Sequence, residues 1–153
     1  MHNTAILRII SMLQNTFAGE PWHGPAIMDI LPNLTLEQVG YRLPNTHNAA
    51  ELVAHICTWR EFVIQKLNGN EAFDVTHELD FPVINHITEE EWQALLDRLQ
   101  RSQQHLLDKL AHYTDEKLSE QVSARDYTFD YMLHGIIHHD LYHLGQIVLL
   151  SKV

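Results

Sequence analysis

Apolar residues recur at helical spacing through four long stretches of this chain, and nowhere do they alternate over the length of a strand. Ile6, Ile9, Ile10, Leu13 and Phe17 set the first stripe and predict a helix from about Thr4 to Phe17. Leu52, Ile56, Trp59, Val63 and Leu67 set the second. Trp92, Leu95, Leu96, Leu99, Leu106, Leu110 and Tyr113 set the third, and the stretch from about Thr128 to Ser151 carries the fourth. A striped helix buries one side, so four of them must pack on each other. The expected fold is all-α, a four-helix bundle. It is expected to be a single domain over residues 1–153, long enough for a real core.

Start signals agree with the stripes. Asn48 with Glu51, and Thr88 with Glu91, are N-caps with a returning carboxylate, and Thr128 caps the last helix. Glu89, Glu90 and Glu91 also suit the positive end of a helix dipole. Asn68-Gly69-Asn70 stops the second helix. The first connector is long and broken by Gly19, Pro21, Gly24, Pro25, Pro32 and Pro44. Short helices are expected in it, over Ala26 to Leu31 and after the capping box Thr35-Leu36-Glu37-Gln38. Trp22, Ile27, Ile30 and Leu31 make it a packed lid or wall over one end of the bundle, and Trp22 and His23 are candidates for that lid. The segment from Glu71 to Ile87 can return along the whole bundle, which lets the second and third helices run parallel. Thr114 to Leu118 is expected to turn once.

The 20 acidic and 10 basic residues leave a formal charge of −10, which argues against nucleic acid or an anionic membrane as a non-specific partner. No apolar run approaches a membrane span. The first residues lack a basic region followed by a signal-type apolar run, so the cytoplasm is the expected compartment. The single Cys57 forms no internal disulfide and suits a reducing environment.

Twelve histidines are many for such a chain. The last helix holds two pairs four residues apart, His134/His138 and His139/His143, and that spacing stacks both rings of a pair on one face. At about 100° per residue, Phe129, Met132, Ile136, Ile147 and Leu150 cluster on one face, with His139 and His143 on it or its shoulder. His134 and His138 lie away from it, beside Tyr131, Tyr142 and Gly145, exposed or in a subunit contact. A metal site needs a third ligand. His55, on the shoulder of the second stripe, is the best candidate: His47, His77 and His86 fall in loops, and His105 and His112 fall off the third stripe. Three imidazoles would leave a coordination position open, as in catalytic sites. Zn²⁺ fits, and Ni²⁺, Fe²⁺ or Mn²⁺ fit the same ligand type. The competing reading makes the pair ordinary core histidines.

His139-Asp-Leu-Tyr-His143-Leu-Gly-Gln146-Ile147 and Glu51-Leu-Val-Ala-His55-Ile-Cys-Thr-Trp59-Arg-Glu together resemble the DinB/YfiT-like superfamily. The resemblance extends to Pro21-Trp22-His23-Gly24-Pro25, Asp80-Phe81-Pro82, Thr88-Glu-Glu-Glu-Trp92 and Arg125-Asp-Tyr-Thr-Phe129. It implies an up-down-down-up bundle, one divalent metal per chain held by His55, His139 and His143, and a homodimer. It also implies a metal-dependent enzyme. Some members are similar to thiol-S-transferases that join a low-molecular-weight thiol, such as bacillithiol or mycothiol, to an electrophile; others are similar to hydrolases or isomerases.

Three further residues bear on such a site. Asp140 falls in the apolar stripe of the last helix, where a carboxylate needs a partner. It either fixes the tautomer of a ligand histidine or bonds a backbone donor or tyrosine across the bundle. Gln146, one turn past His143, either holds a metal-bound water or substrate group or bonds a neighbouring segment. Trp59 is a core residue or a pocket wall. Glu51 reads as a cap, Cys57 as core, and Asp97, Arg98 and Arg101 as a solvated face. Two functions follow. One is a metal-dependent transferase or hydrolase acting on a small molecule through an activated thiol or water. The alternative is a metal-binding or ligand-sensing bundle without turnover.

Overall fold

The computed structural model describes residues 3–152. In chain order the helices are α1 (Thr4–Ala18), α2 (Ile27–Ile30), α3 (Leu36–Gly40), α4 (Ala49–Leu67), α5 (His77–Asp80), α6 (Glu89–Leu110), α7 (Glu116–Ser119) and α8 (Phe129–Leu150), with a 3₁₀ turn Leu31–Asn33 between α2 and α3. All the described elements are helical apart from an isolated bridge between Gln121 and Thr128. The capping boxes are formed: Thr35, Asn48 and Thr88 each accept from the backbone of Gln38, Glu51 and Glu91 respectively. Thr128 accepts from Tyr131 N–H. Asn68 stops α4, and Gly69 follows at φ +77°.

The first helix is capped from far away. Asn3 makes no side-chain cap bond. Instead the Asp115 carboxylate, at the start of α7, accepts from the backbone N–H groups of Ala5 and Ile6 at 2.9–3.1 Å. That ties the start of α1 to the end of α6.

Contacts between the helices fix the topology. Asn48 at the start of α4 bonds the Ile84 carbonyl just before α6, and the Leu67 carbonyl at the end of α4 accepts from Tyr113 Oη just beyond α6. The two helices are therefore parallel. Gln103, midway along α6, bonds the Leu13 carbonyl of α1, whose opposite end meets Asp115, so α1 is antiparallel to both. His55 near the start of α4 meets His139 midway along α8, while Trp59 and Phe62 lie nearer the start of α8 beside Met132 and Ile136. The order is up-down-down-up, and the segment between α4 and α6 climbs back along the bundle.

The core has two apolar halves. One holds Ile6, Leu13, Phe62, Leu106, Leu110 and Leu133; the other holds Phe17, Leu31, Ile56, Trp92, Leu99 and Ile147. A buried polar network of side chains from α4, α6 and α8 runs through the bundle as well. Arg60 of α4 pairs with Asp140 of α8, donates to Gln103 and reaches Ser102 of α6; Gln103 in turn reaches α1.

Two expectations need correction. The second helix does not carry a single buried stripe: α4 is covered on nearly every side, including Glu51, Thr58, Arg60 and Lys66. As the central helix it touches α6, α8, α3 and α5. The lid assigned to Trp22 and His23 is not formed, since both are exposed and Trp22 fully so. What packs from that connector is Ile27, Leu31 and Val39.

Candidate metal centre

His139 and His143 stand one turn apart on α8 and face His55 on α4. Their ring centroids form a nearly equilateral triangle: 4.8 Å from His55 to His139, 4.7 Å from His55 to His143 and 4.6 Å from His139 to His143. One ring nitrogen of each lies within 4.8 Å of the other two. His55 and His143 are buried, at 5% and 7% exposure, and His139 is partly open. His138 is exposed, and His134 bonds its own helix through the Asp130 carbonyl, so the outward pair stays outside the cluster.

Two of the three rings are hydrogen-bonded from behind. His55 Nδ1 donates to the Asp80 carbonyl at 2.7 Å, with the Asp80 carboxylate 3.1 Å away. His143 Nδ1 donates to Gln146 Oε1 at 2.7 Å. Both acceptors offer only lone pairs, so these two histidines carry their protons on Nδ1 and present Nε2 as a free base. Burial drives the His55 pKa down to about 4, the bond to the Asp80 carbonyl opposes that, and His139 and His143 push it lower. Burial also lowers His143, against its bond to Gln146. Two neutral bases are thus kept ready inside the protein.

The third ring tests whether a cation suits the cluster. His139 Nε2 lies 2.9 Å from His55 Nε2, and two lone pairs at that distance repel unless a proton or a cation lies between them. A proton on His139 Nε2 would turn its Nδ1 into a lone pair facing Asp140 Oδ1, 3.7 Å away. Both of those atoms are buried without a hydrogen-bond partner. The proton belongs instead on Nδ1, toward the carboxylate, which leaves all three Nε2 atoms as donors. Imidazole ligands with an acceptor behind the other nitrogen are the usual arrangement around a divalent ion. The donor set fits.

Asp140 takes neither of the partners expected from sequence as its main one. Arg60 Nε and Nη2 both approach its Oδ2, at 2.8 and 2.7 Å, and this is its principal bond. Oδ1 is left facing His139. Gln146 is a positioning group for His143 rather than a bond to a neighbouring helix. Trp59 is a wall: its Nε1–H donates to Asp80 Oδ1 at 2.9 Å, and its ring edges both His55 and His139.

Sequence reasoning missed three residues. Phe81 stacks on His55 at 3.8 Å, and His47 stacks on the far side of Phe81 at 3.9 Å. Asp80 supplies the acceptor behind His55. His47 falls in a loop, as expected, yet reaches the site because Glu51 holds its Nδ1 at 3.2 Å. Burial pushes the Glu51 carboxyl up, but the Ile84 and Asn48 N–H groups, His47 and Arg42 outweigh it and hold the group below the usual carboxylate range. Glu51 is a structural anchor as well as a cap. Cys57 packs in the core, where burial raises its thiol to about 11. An open cleft of about 480 Å³ lies over the histidines, walled by His47, Trp59, Asp80, Phe81, Tyr142 and Gln146.

The fold and the cluster define a helical bundle with a three-histidine centre that could hold a metal ion. The sequence model of the DinB superfamily matches residues 25–147, and the chain belongs to that superfamily. The matched span takes in every residue of the cluster and leaves α1 outside. No curated protein and no solved structure matches the chain. Among the described residues no helix is long and apolar enough to cross a membrane.

Proposed function

We propose that the protein is a metal-dependent enzyme acting on a small molecule, of the thiol-S-transferase or hydrolase type. His55, His139 and His143 would hold one divalent ion, Zn²⁺ or Ni²⁺ ahead of Fe²⁺ or Mn²⁺. The observation that carries this is the hydrogen-bond pattern: His55 and His143 each turn Nδ1 to an oxygen acceptor, and one nitrogen of each of the three rings lies within 4.8 Å of the others. When bound, the ion supplies Lewis acidity to a thiol or water that enters the cleft.

The chain's own residues do the rest. The Asp80 carbonyl and Gln146 keep two imidazoles oriented, and burial keeps both neutral. Asp140, anchored by Arg60, holds its free oxygen toward His139 Nδ1. Phe81 and Trp59 cover the histidines on one side, while the cleft stays open on the other. That open side favours an exchangeable ligand over a closed structural site. A sensing bundle without turnover is the second reading, favoured by the lack of a general base among the described residues lining the cleft beyond the histidines and Asp80. A homodimer in the cytoplasm completes the proposal.

Elemental analysis of untagged protein, beside His55→Ala and His143→Ala, tests the centre. About one metal per chain, lost in both variants, is expected. Metal retained in both would overturn the assignment. Consumption of a low-molecular-weight thiol with a model electrophile, against hydrolysis of a model ester, then separates the two reaction types. Neither reaction in metal-loaded protein would leave the sensing role.

A further inference from the structure

A second, more enclosed chamber adjoins the histidine cleft. It measures about 340 Å³ and is walled by Leu43 of the first connector, Leu52 of α4, and Leu149 and Leu150 of α8. It shares His47, Leu52 and Gln146 with the cleft, so the two spaces meet along one wall. That wall carries a fixed polar group. Gln146 Oε1 is taken by His143, which leaves the Gln146 amide NH₂ as a donor at the junction. His47 is fixed there too, by Glu51 and by stacking on Phe81.

Charge limits what such a pair of spaces accepts. Among the described residues, neither cavity is lined by a lysine or arginine. Arg42, on the same connector, is engaged by Glu51 and the Ile84 carbonyl. Asn45, Thr46 and Gln146 also line the chamber but are neutral, so an anionic group there would lose its hydration with no lysine or arginine to offset it. Leu43 and Leu149 meanwhile leave apolar surface in water at 37% and 64% exposure, which an apolar occupant would cover.

We propose that this chamber is the specificity pocket of the site and binds the aliphatic part of an uncharged small molecule. A carbonyl or similar acceptor of that molecule meets the Gln146 amide, and its reacting end lies over the three histidines. This rests on the reading of the histidines as the reacting centre. In a transferase the occupant is the electrophile; in a hydrolase it is the acyl or leaving group.

Straight-chain primary amides from acetamide to hexanamide are the probes, with the matching carboxylates. They are titrated into ¹⁵N-labelled, untagged protein as purified and after metal stripping, and binding is read from amide shifts. Affinity should rise about fourfold per methylene until the chamber is full. Shifts should centre on Leu43, Leu149, Leu150 and the Gln146 side chain, and in the stripped protein the carboxylates should bind more weakly than the amides. Leu149→Asp should abolish the chain-length dependence, and Leu43→Trp, in an exposed loop, should bring the plateau to shorter chains. Affinity indifferent to chain length, shifts elsewhere, or equal binding of the carboxylates to stripped protein would overturn the proposal. The two readings fail separately. Chain-length dependence in a protein that never takes up metal would keep the chamber and remove the reacting centre. One metal per chain with a flat amide series would remove the chamber alone.

Discussion

Arg60 and Asp140 meet at the centre of the bundle, Nη2 2.7 Å from Oδ2, with at most 3% of either side chain exposed. The pair joins α4 to α8, and the same guanidinium reaches α6 through Gln103. Removing one partner strands the other as an unpaired buried charge. Arg60→Leu should therefore cost about 3–5 kcal/mol in urea unfolding. The double variant Arg60→Met/Asp140→Leu should recover most of that loss. Equal destabilisation in both would mean that packing, not charge, dominates there.

Gln146→Ala removes the acceptor that orients His143 while leaving all three histidines. Metal affinity should fall roughly 10- to 100-fold, as read by competition with a chromophoric chelator. His138→Ala, an exposed position on the same helix, should leave it unchanged. A loss in His138→Ala of similar size would place the metal on the outer face.

Metal should also act as a stabilising ligand. Chelation should lower Tm, and added Zn²⁺ or Ni²⁺ should restore it, with about 2.7 kcal/mol expected at free metal 100 times Kd. His55→Ala should show neither the fall nor the recovery.

The metal-free protein should weaken with acid. In the folded chain His55 holds off its proton until about pH 4, whereas the ordinary value is 6.5. The unfolded chain thus binds the proton first, so the stabilisation is complete above about pH 6.5 and is lost as pH falls toward 4. Urea midpoints across that window should rise with pH, and His55→Asn should flatten the slope in part, since His143 is shifted the same way.

The cap on α1 is a smaller test. Asp115→Ala removes the acceptor for Ala5 and Ile6 N–H and should cost about 1 kcal/mol. Thr128→Ala offers a comparison with a local cap.

Sequence made the scaffold readable because caps and stripes are local. Asn48 with Glu51, Thr88 with Glu91, and the stripe of α6 specify their helices within a few turns, and i, i+4 spacing alone joined His139 to His143. His55 was reachable because a shoulder position on a predicted helix has a direction. Asp80, Phe81 and His47 were not, since they sit in connectors where no periodicity fixes which way a side chain points. Arg60 was hidden for a different reason. On a helix covered from nearly every side, a charged residue next to Trp59 looks like the edge of a stripe, and its partner lies 80 positions away. The distant cap by Asp115 was invisible on the same grounds.

The parallel arrangement of α4 and α6 has a consequence for the chemistry. Two helices that run the same way cannot be joined by a tight turn, so the chain must travel back over the outside of the bundle before α6 begins. Its route passes across the histidines, and there it deposits the Asp80 carbonyl and the Phe81 ring. In a bundle built from hairpins, His55 would lack both that acceptor and the Phe81 ring stacked on it. The return journey of the backbone is thus one wall of the centre, and shortening that connector should expose His55 while leaving the four long helices in place.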